Sequence, residues 1–137
     1  MAKVLGIDYG KKRVGIAITD SLQIISSPFA TIDTKKIFVF LKDLFKKEDI
    51  DCIVVGEPIN LDGLATDSTE ITEEFVAKLY KMYPQILIKR IDERFTSKIA
   101  KQSILEAGIK KIKRKDKTLI DKVSAAIILQ SYLANIN

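Results

Sequence analysis

The 137 residues are enough for one domain with one core, since domains commonly run to about 100–150 residues, and a second domain is not expected. Lys and Arg outnumber Asp and Glu by 23 to 18, with a sequence pI near 9.2, a balance that suits a polyanionic partner. Histidine is absent and cysteine occurs once, which excludes Ser–His and Cys–His nucleophile pairs, histidine-ligated metals, an internal disulfide and multi-cysteine zinc sites.

Along the chain, Val4 to Asp8 and Val14 to Thr19 read as two buried strands joined by the turn-forming Tyr9-Gly10-Lys11-Lys12-Arg13, hence a hairpin. A third extended piece covers Ile24 to Ile32, with Pro28 arguing for a sheet edge because it cannot donate a ladder hydrogen bond. Ile37, Leu41, Leu44 and Phe45 then recur at helical spacing. Asp51 to Gly56 is a nearly all-apolar strand of the kind covered on both faces, and Cys52 within it is expected to be buried as a small hydrophobe.

After a polar loop with Asp62-Gly63, Asp67-Ser68-Thr69-Glu70 carries the signature of a helix start. The second helix runs to about Tyr83 with a core stripe of Ile71, Phe75, Leu79 and Met82, and Pro84 stops it. Ile86 to Ile91 is the fifth strand. A helix from Thr96 to Gly108 follows, then the basic stretch Ile109 to Lys117, and a last helix opening at Thr118-Leu119-Ile120-Asp121. The order predicts an α/β fold of the RNase H-like kind: a five-stranded mixed sheet, its first three strands antiparallel, with helices on both faces. The opening residues show no signal-peptide core, and no apolar run approaches the roughly 20 residues needed to cross a bilayer, so a cytoplasmic protein without membrane association is expected.

Without histidine, carboxylates must carry any chemistry. Asp8 sits in the first strand among apolar residues and glycine, where an acid needs a cationic partner. Either Lys12 or Arg13 folds back to pair with it, or it ligates a metal. Asp92-Glu93-Arg94 follows a central strand at the end where ligands of open α/β sheets gather, although a surface turn neutralised by Arg94 would look the same. Asp121 lies in the first turn of the last helix, where the helix dipole favours an acid; it shares a face with Ser124, Ala125 and Ile128, which points it inward. If the three converge, they make an all-oxygen cage for Mg²⁺ or Mn²⁺, a donor set suited to phosphodiester hydrolysis.

Four ordered blocks carry a resemblance. They are Gly6-Ile7-Asp8-Tyr9-Gly10-Lys11-Lys12-Arg13-Val14-Gly15-Ile16-Ala17 with Thr19-Asp20; Val54-Val55-Gly56-x-Pro58 with Asp62-Gly63; Asp92-Glu93-Arg94-Phe95-Thr96-Ser97; and Asp121-x-x-Ser124-Ala125 leading to Ile128-Leu129-Gln130-x-Tyr132-Leu133. Together they resemble the YqgF/RuvX family over nearly the whole chain. The resemblance implies an RNase H-like fold related to Holliday-junction resolvases of the RuvC type, and a nuclease role in maturing the 5′ end of pre-16S ribosomal RNA. It also implies that Asp8, Glu93 and Asp121 are the catalytic, metal-holding acids, while Lys12, Arg13, Arg94 and Lys98 contact phosphate and the basic segment guides the strand. Only one of Asp92 and Glu93 should face the metal, because neighbours in an extended segment point opposite ways. Glu57, where an apolar residue is commoner in the family, is a candidate additional ligand.

Three other readings compete. A Holliday-junction resolvase-like DNA nuclease would favour a dimer, since two strands are nicked symmetrically; a monomer or weak homodimer is otherwise expected. A non-catalytic RNA-binding ribosome assembly factor would keep the fold without turnover. A nucleotide-binding protein of the actin and sugar-kinase type shares the Gly6 to Gly10 loop but needs two such halves, and 137 residues supply one.

Overall fold

The computed structural model describes residues 2–58, 67–93 and 117–136. Five strands, β1 (Lys3–Tyr9), β2 (Arg13–Thr19), β3 (Ser26–Asp33), β4 (Ile50–Glu57) and β5 (Leu87–Asp92), form one sheet in the order β3-β2-β1-β4-β5. The first three pair antiparallel, and β4 and β5 add on in parallel beside β1. The described helices are α1 (Ile37–Lys47), entered through a 3₁₀ turn at Thr34–Lys36, α2 (Asp67–Met82) and α3 (Lys117–Ile136). This is the mixed sheet and strand pairing expected from the sequence. The expected helix at 96–108, the Asp62-Gly63 loop and the basic stretch up to residue 116 lie outside the described residues.

Strict alternation along the strands divides the interior into two layers. Leu5 and Ile7 of β1, Val14 and Ile16 of β2, and Ile53 and Val55 of β4 face one way, against Ile37, Leu41 and Leu44 of α1 and Phe75, Val76 and Leu79 of α2. Val4, Ala17, Cys52 and Val54 face the other way, under Ala125, Ala126, Ile128 and Leu129 of α3. β1 and β4 therefore read as continuous apolar runs because both their faces are covered.

β3 is the edge strand, and Pro28 sits in it opposite Ala17 at a register shift between Ile16 and Ala17. An edge with a bulge is where a proline without an N–H does least harm. The β2–β3 turn is organised by Asp20, whose carboxylate accepts from the amides of Ile25, Ile24 and Leu22, in an arrangement that holds it below the usual carboxylate range. Asp20 thus has a structural task within the opening signature.

In α2 the observed stripe is rotated from the expected one. Phe75 and Leu79 are buried as expected, but Met82 is exposed and Ile71 only half-buried, while Thr72 and Val76 are buried in their place. Hydropathy favoured Ile71 over Thr72. The seating of α2 is instead centred on Phe75, which stacks on Tyr9 at 4.2 Å, and its exit on Tyr83, which meets Phe45 edge-on at 4.8 Å.

One buried polar contact pins the start of the sheet: the Val4 amide donates to Thr19 Oγ1 at 2.9 Å. Thr19→Val keeps the shape and removes the acceptor. The expected result is a loss of about 1–3 kcal/mol in urea denaturation; an unchanged midpoint would show that the amide is satisfied in another way.

Candidate active site

The end of the sheet where β1, β4 and β5 finish collects the acids. Alternation on β1 sends Val4, Gly6 and Asp8 toward α3, and the neighbouring strands match it with Gly15, which pairs with Asp8, and Gly56 on β4. Each glycine is a close approach. A methyl at Gly15 would overlap the main-chain carbonyl oxygen of Asp121, one at Gly6 would lie 2.7 Å from Leu129 Cβ, and one at Gly56 would lie 2.7 Å from Ile128 Cδ1 and 2.8 Å from Glu93 Oε1. The small residues therefore seat α3 on the sheet and leave room for Glu93 beside Asp8.

Asp8 and Glu93 are hydrogen-bonded to each other through their side chains. Asp8 is half-buried by surface area yet enclosed by protein atoms on most sides, and its pKa is pushed up from the ordinary 3.8 to about 7. Burial is the main cause, followed by the charge of Glu93, the hydrogen bond to it and the charge of Asp121. Glu93 is also raised, chiefly by burial; the hydrogen bond from Asp8 opposes this, Asp92 adds to it and Arg90 opposes it. Both carboxyls are thus held above their ordinary range, and the pair shares a proton across the hydrogen bond between them.

Asp121 is near enough for its charge to act on Asp8 but has a different immediate partner. Arg13 Nε donates to Asp121 Oδ2 at 2.6 Å. The cation considered for Asp8 thus goes to Asp121 instead. Arg13 leaves a turn held from outside: the Thr34 hydroxyl donates to the Gly10 carbonyl at 2.8 Å and the Thr34 amide to the Lys12 carbonyl at 3.0 Å.

The other candidates separate by register. Gly56 faces α3, so Glu57, next along the same extended strand and paired with Asp92, alternates onto the opposite face. Asp92, the last residue of β5, lies on the same face as its partner Glu57, and Glu93 follows it in a 3₁₀ turn. Glu93 is the member of that pair that meets Asp8, and Glu57 is not brought to it. Lys12 is exposed in the turn. Arg94 and Lys98 lie outside the described residues.

Arg90 is a contributor that the sequence reading missed. Its guanidinium donates to Glu73 Oε1 on α2 at 2.7 Å and to the Val55 carbonyl at 3.2 Å, tying the end of β4 to α2, and its charge moderates Glu93. The cationic pair Lys89-Arg90 inside a short strand, two residues before an acidic pair, is the signal that could have found it.

Two half-buried carboxylates that share a proton are suited to a hard divalent cation, because an ion can replace the proton and remove the repulsion in one step. The oxygen-only donor set fits Mg²⁺ or Mn²⁺. Among the described residues, no three acids are gathered closely enough to hold one ion, and Asp121 is paired with Arg13.

The comparisons with known proteins agree with this architecture. The family described as "RuvX: Holliday junction resolvase" matches residues 2–135. A Flavobacterium psychrophilum protein bearing the name "Putative pre-16S rRNA nuclease" is 47% identical over 133 residues, covering 97% of each chain. A Porphyromonas gingivalis protein of the same name is 46% identical over 135 residues, covering 98% of each. Among solved structures, Thermus thermophilus RuvC in complex with a Holliday junction substrate superposes with a TM-score of 0.63 at 11% identity, over 100% of this chain and 97% of that one. The yeast mitochondrial Holliday junction resolvase gives 0.61 at 13%, over 96% and 78%. At such identities the likeness is one of fold, the RNase H-like fold of the resolvases. The length of the family match, with relatives close to half identical from end to end, makes this chain a member of the RuvX family.

Proposed function

We propose that this protein is a divalent-metal-dependent nuclease of the cytoplasm that hydrolyses nucleic-acid phosphodiesters, with the 5′ end of pre-16S ribosomal RNA as its substrate. The observation that carries the reading is the half-buried, hydrogen-bonded Asp8–Glu93 pair at the end of the sheet, both acids raised above their ordinary range, in a chain whose relatives bear a nuclease name. Asp8 and Glu93 hold Mg²⁺ or Mn²⁺, and Asp121 completes the set. Such an ion supplies an activated water and stabilisation of the leaving oxygen. Lys12 and Arg13, with Arg94 and Lys98, bind the sugar-phosphate strand, and the net charge of +5 favours its approach.

Asp8 must give up its proton before it can ligate, so binding and turnover are coupled to pH. At limiting metal, cleavage is expected to rise with pH through about 7 and to level off above it. A rate that falls across that range would contradict Asp8 as a ligand.

A four-way DNA junction is the second substrate to test, because the fold matches resolvases, one of them solved with its junction. Cleavage mapping on precursor ribosomal RNA and on a junction, side by side in Mg²⁺, Mn²⁺ and EDTA, decides between them. Asp8→Asn and Asp121→Asn should each lower the metal-dependent rate by more than about 100-fold, since partners one shell further out typically carry about 10–100-fold. Cleavage retained in both variants points to a contaminant. Binding without cleavage in the wild type favours the assembly-factor reading.

A further inference from the structure

Asp121 is the acid that the fold brings near the pair and then ties elsewhere. Its charge raises Asp8, yet among the described residues no three acids are gathered closely enough for one ion. What holds it is Arg13, at 2.6 Å from Nε to Oδ2. Neither partner is free to drift. Arg13 opens β2 beside the turn that Thr34 clamps, and the main chain of Asp121 rests on Gly15, two residues further along the same strand. The ion pair is also partly open to solvent, with 37% of the Arg13 side chain and 24% of the Asp121 side chain exposed, so an incoming anion can reach the guanidinium. A guanidinium fork fits phosphate as well as it fits carboxylate.

We propose that Arg13 is a positioning residue that holds Asp121 away from the Asp8–Glu93 pair until a backbone phosphate takes over the guanidinium, so that divalent-ion binding and nucleic-acid binding are coupled through this ion pair. The proposal rests on the metal-nuclease reading and adds an order to it. The protein without nucleic acid offers the ion two carboxylates and a nearby positive charge. With a strand bound, the charge of Arg13 is neutralised by phosphate and Asp121 is released toward the ion. By linkage the effect is reciprocal: the ion tightens the strand as much as the strand tightens the ion.

The test is calorimetric titration of Mn²⁺ into the full chain, alone and with a 2′-O-methyl phosphorothioate RNA oligonucleotide that resists cleavage. The wild type is expected to bind Mn²⁺ at least about 5-fold more tightly with the oligonucleotide, the lower end of typical coupling. Arg13→Gln, shown by circular dichroism to be folded, should bind Mn²⁺ alone more tightly than the wild type by a similar factor and lose most of the coupling. Arg13→Lys, which keeps the charge without the fork, should fall between them. Folded Arg13→Gln with unchanged or weaker Mn²⁺ affinity overturns the proposal and leaves the nuclease reading standing, because a purely structural arginine would produce that result. Absence of Mn²⁺ binding in both proteins overturns both. Should Arg13→Gln not fold, the wild-type titrations and Asp121→Asn decide: a wild type without coupling, or an Asp121→Asn protein with coupling intact, overturns the proposal.

Discussion

Asp8→Asn is expected to stabilise the metal-free protein at pH 8 while abolishing its cleavage. Asp8 titrates at about 7 in the fold against an ordinary 3.8, so between these values the folded state binds more protons than the unfolded one. Stability therefore falls as pH rises through that window, and the full penalty is present above 7. The carboxylate is half-buried by surface area, which discounts the penalty for solvent screening to roughly 2 kcal/mol. Asparagine removes the charge and can still donate to Glu93. Melting curves in EDTA should place the variant roughly 5 °C or more above the wild type at pH 8, with the gap closing toward pH 4. Mn²⁺ should raise the wild-type midpoint much more than that of the variant. A variant less stable than the wild type at pH 8 would mean that the acid is not held at a cost to the fold, as functional residues often are.

Gly15→Ala is the second large effect. A methyl there would overlap the Asp121 carbonyl oxygen and crowd the Lys122 amide at 3.0 Å, and both are backbone atoms that no rotamer change can move aside. α3 must then lift from β2, β1 and β3, the strands it packs against most. Overpacking of this kind costs about 1–3 kcal/mol, and the backbone clash puts Gly15→Ala at or above the upper end. Because the same contact sets Asp121, a displacement of about 1 Å is also expected to lower the rate by about 100-fold. Gly6→Ala meets Leu129 Cβ at 2.7 Å and the Ala125 carbonyl oxygen at 3.0 Å, a less severe overlap than at Gly15, and should cost less. Urea denaturation of the two variants checks the ranking. Gly15→Ala as stable as the wild type would show that α3 is seated less closely.

Much of this was legible in the sequence because its signals are local. The apolar runs of β1, β2 and β4 follow from sheet faces that are covered, and the edge place of β3 from a proline that cannot donate to a ladder; of Asp92 and Glu93 the sequence said only that one should face the metal, and left open which. The rotation of α2 was not legible, because it depends on Phe75 finding Tyr9, a contact between distant parts of the chain that overrides the greater hydropathy of Ile71 and Met82. The partner of Arg13 was hidden for the same reason. From the sequence its nearest acid was Asp8, five residues back across the hairpin, whereas the fold gives it Asp121, 108 residues away. Glu57 looked like a ligand from its place at a strand end, and only the register of β4 against β5, with Gly56 facing α3, turns it away.

Acids distant in sequence form one cation site here, and anomalous diffraction from crystals grown or soaked in Mn²⁺ can locate the ion. A manganese peak ligated by both Asp8 and Glu93 is expected. A protein that takes up manganese only elsewhere, with those two carboxylates still hydrogen-bonded to each other, would contradict it.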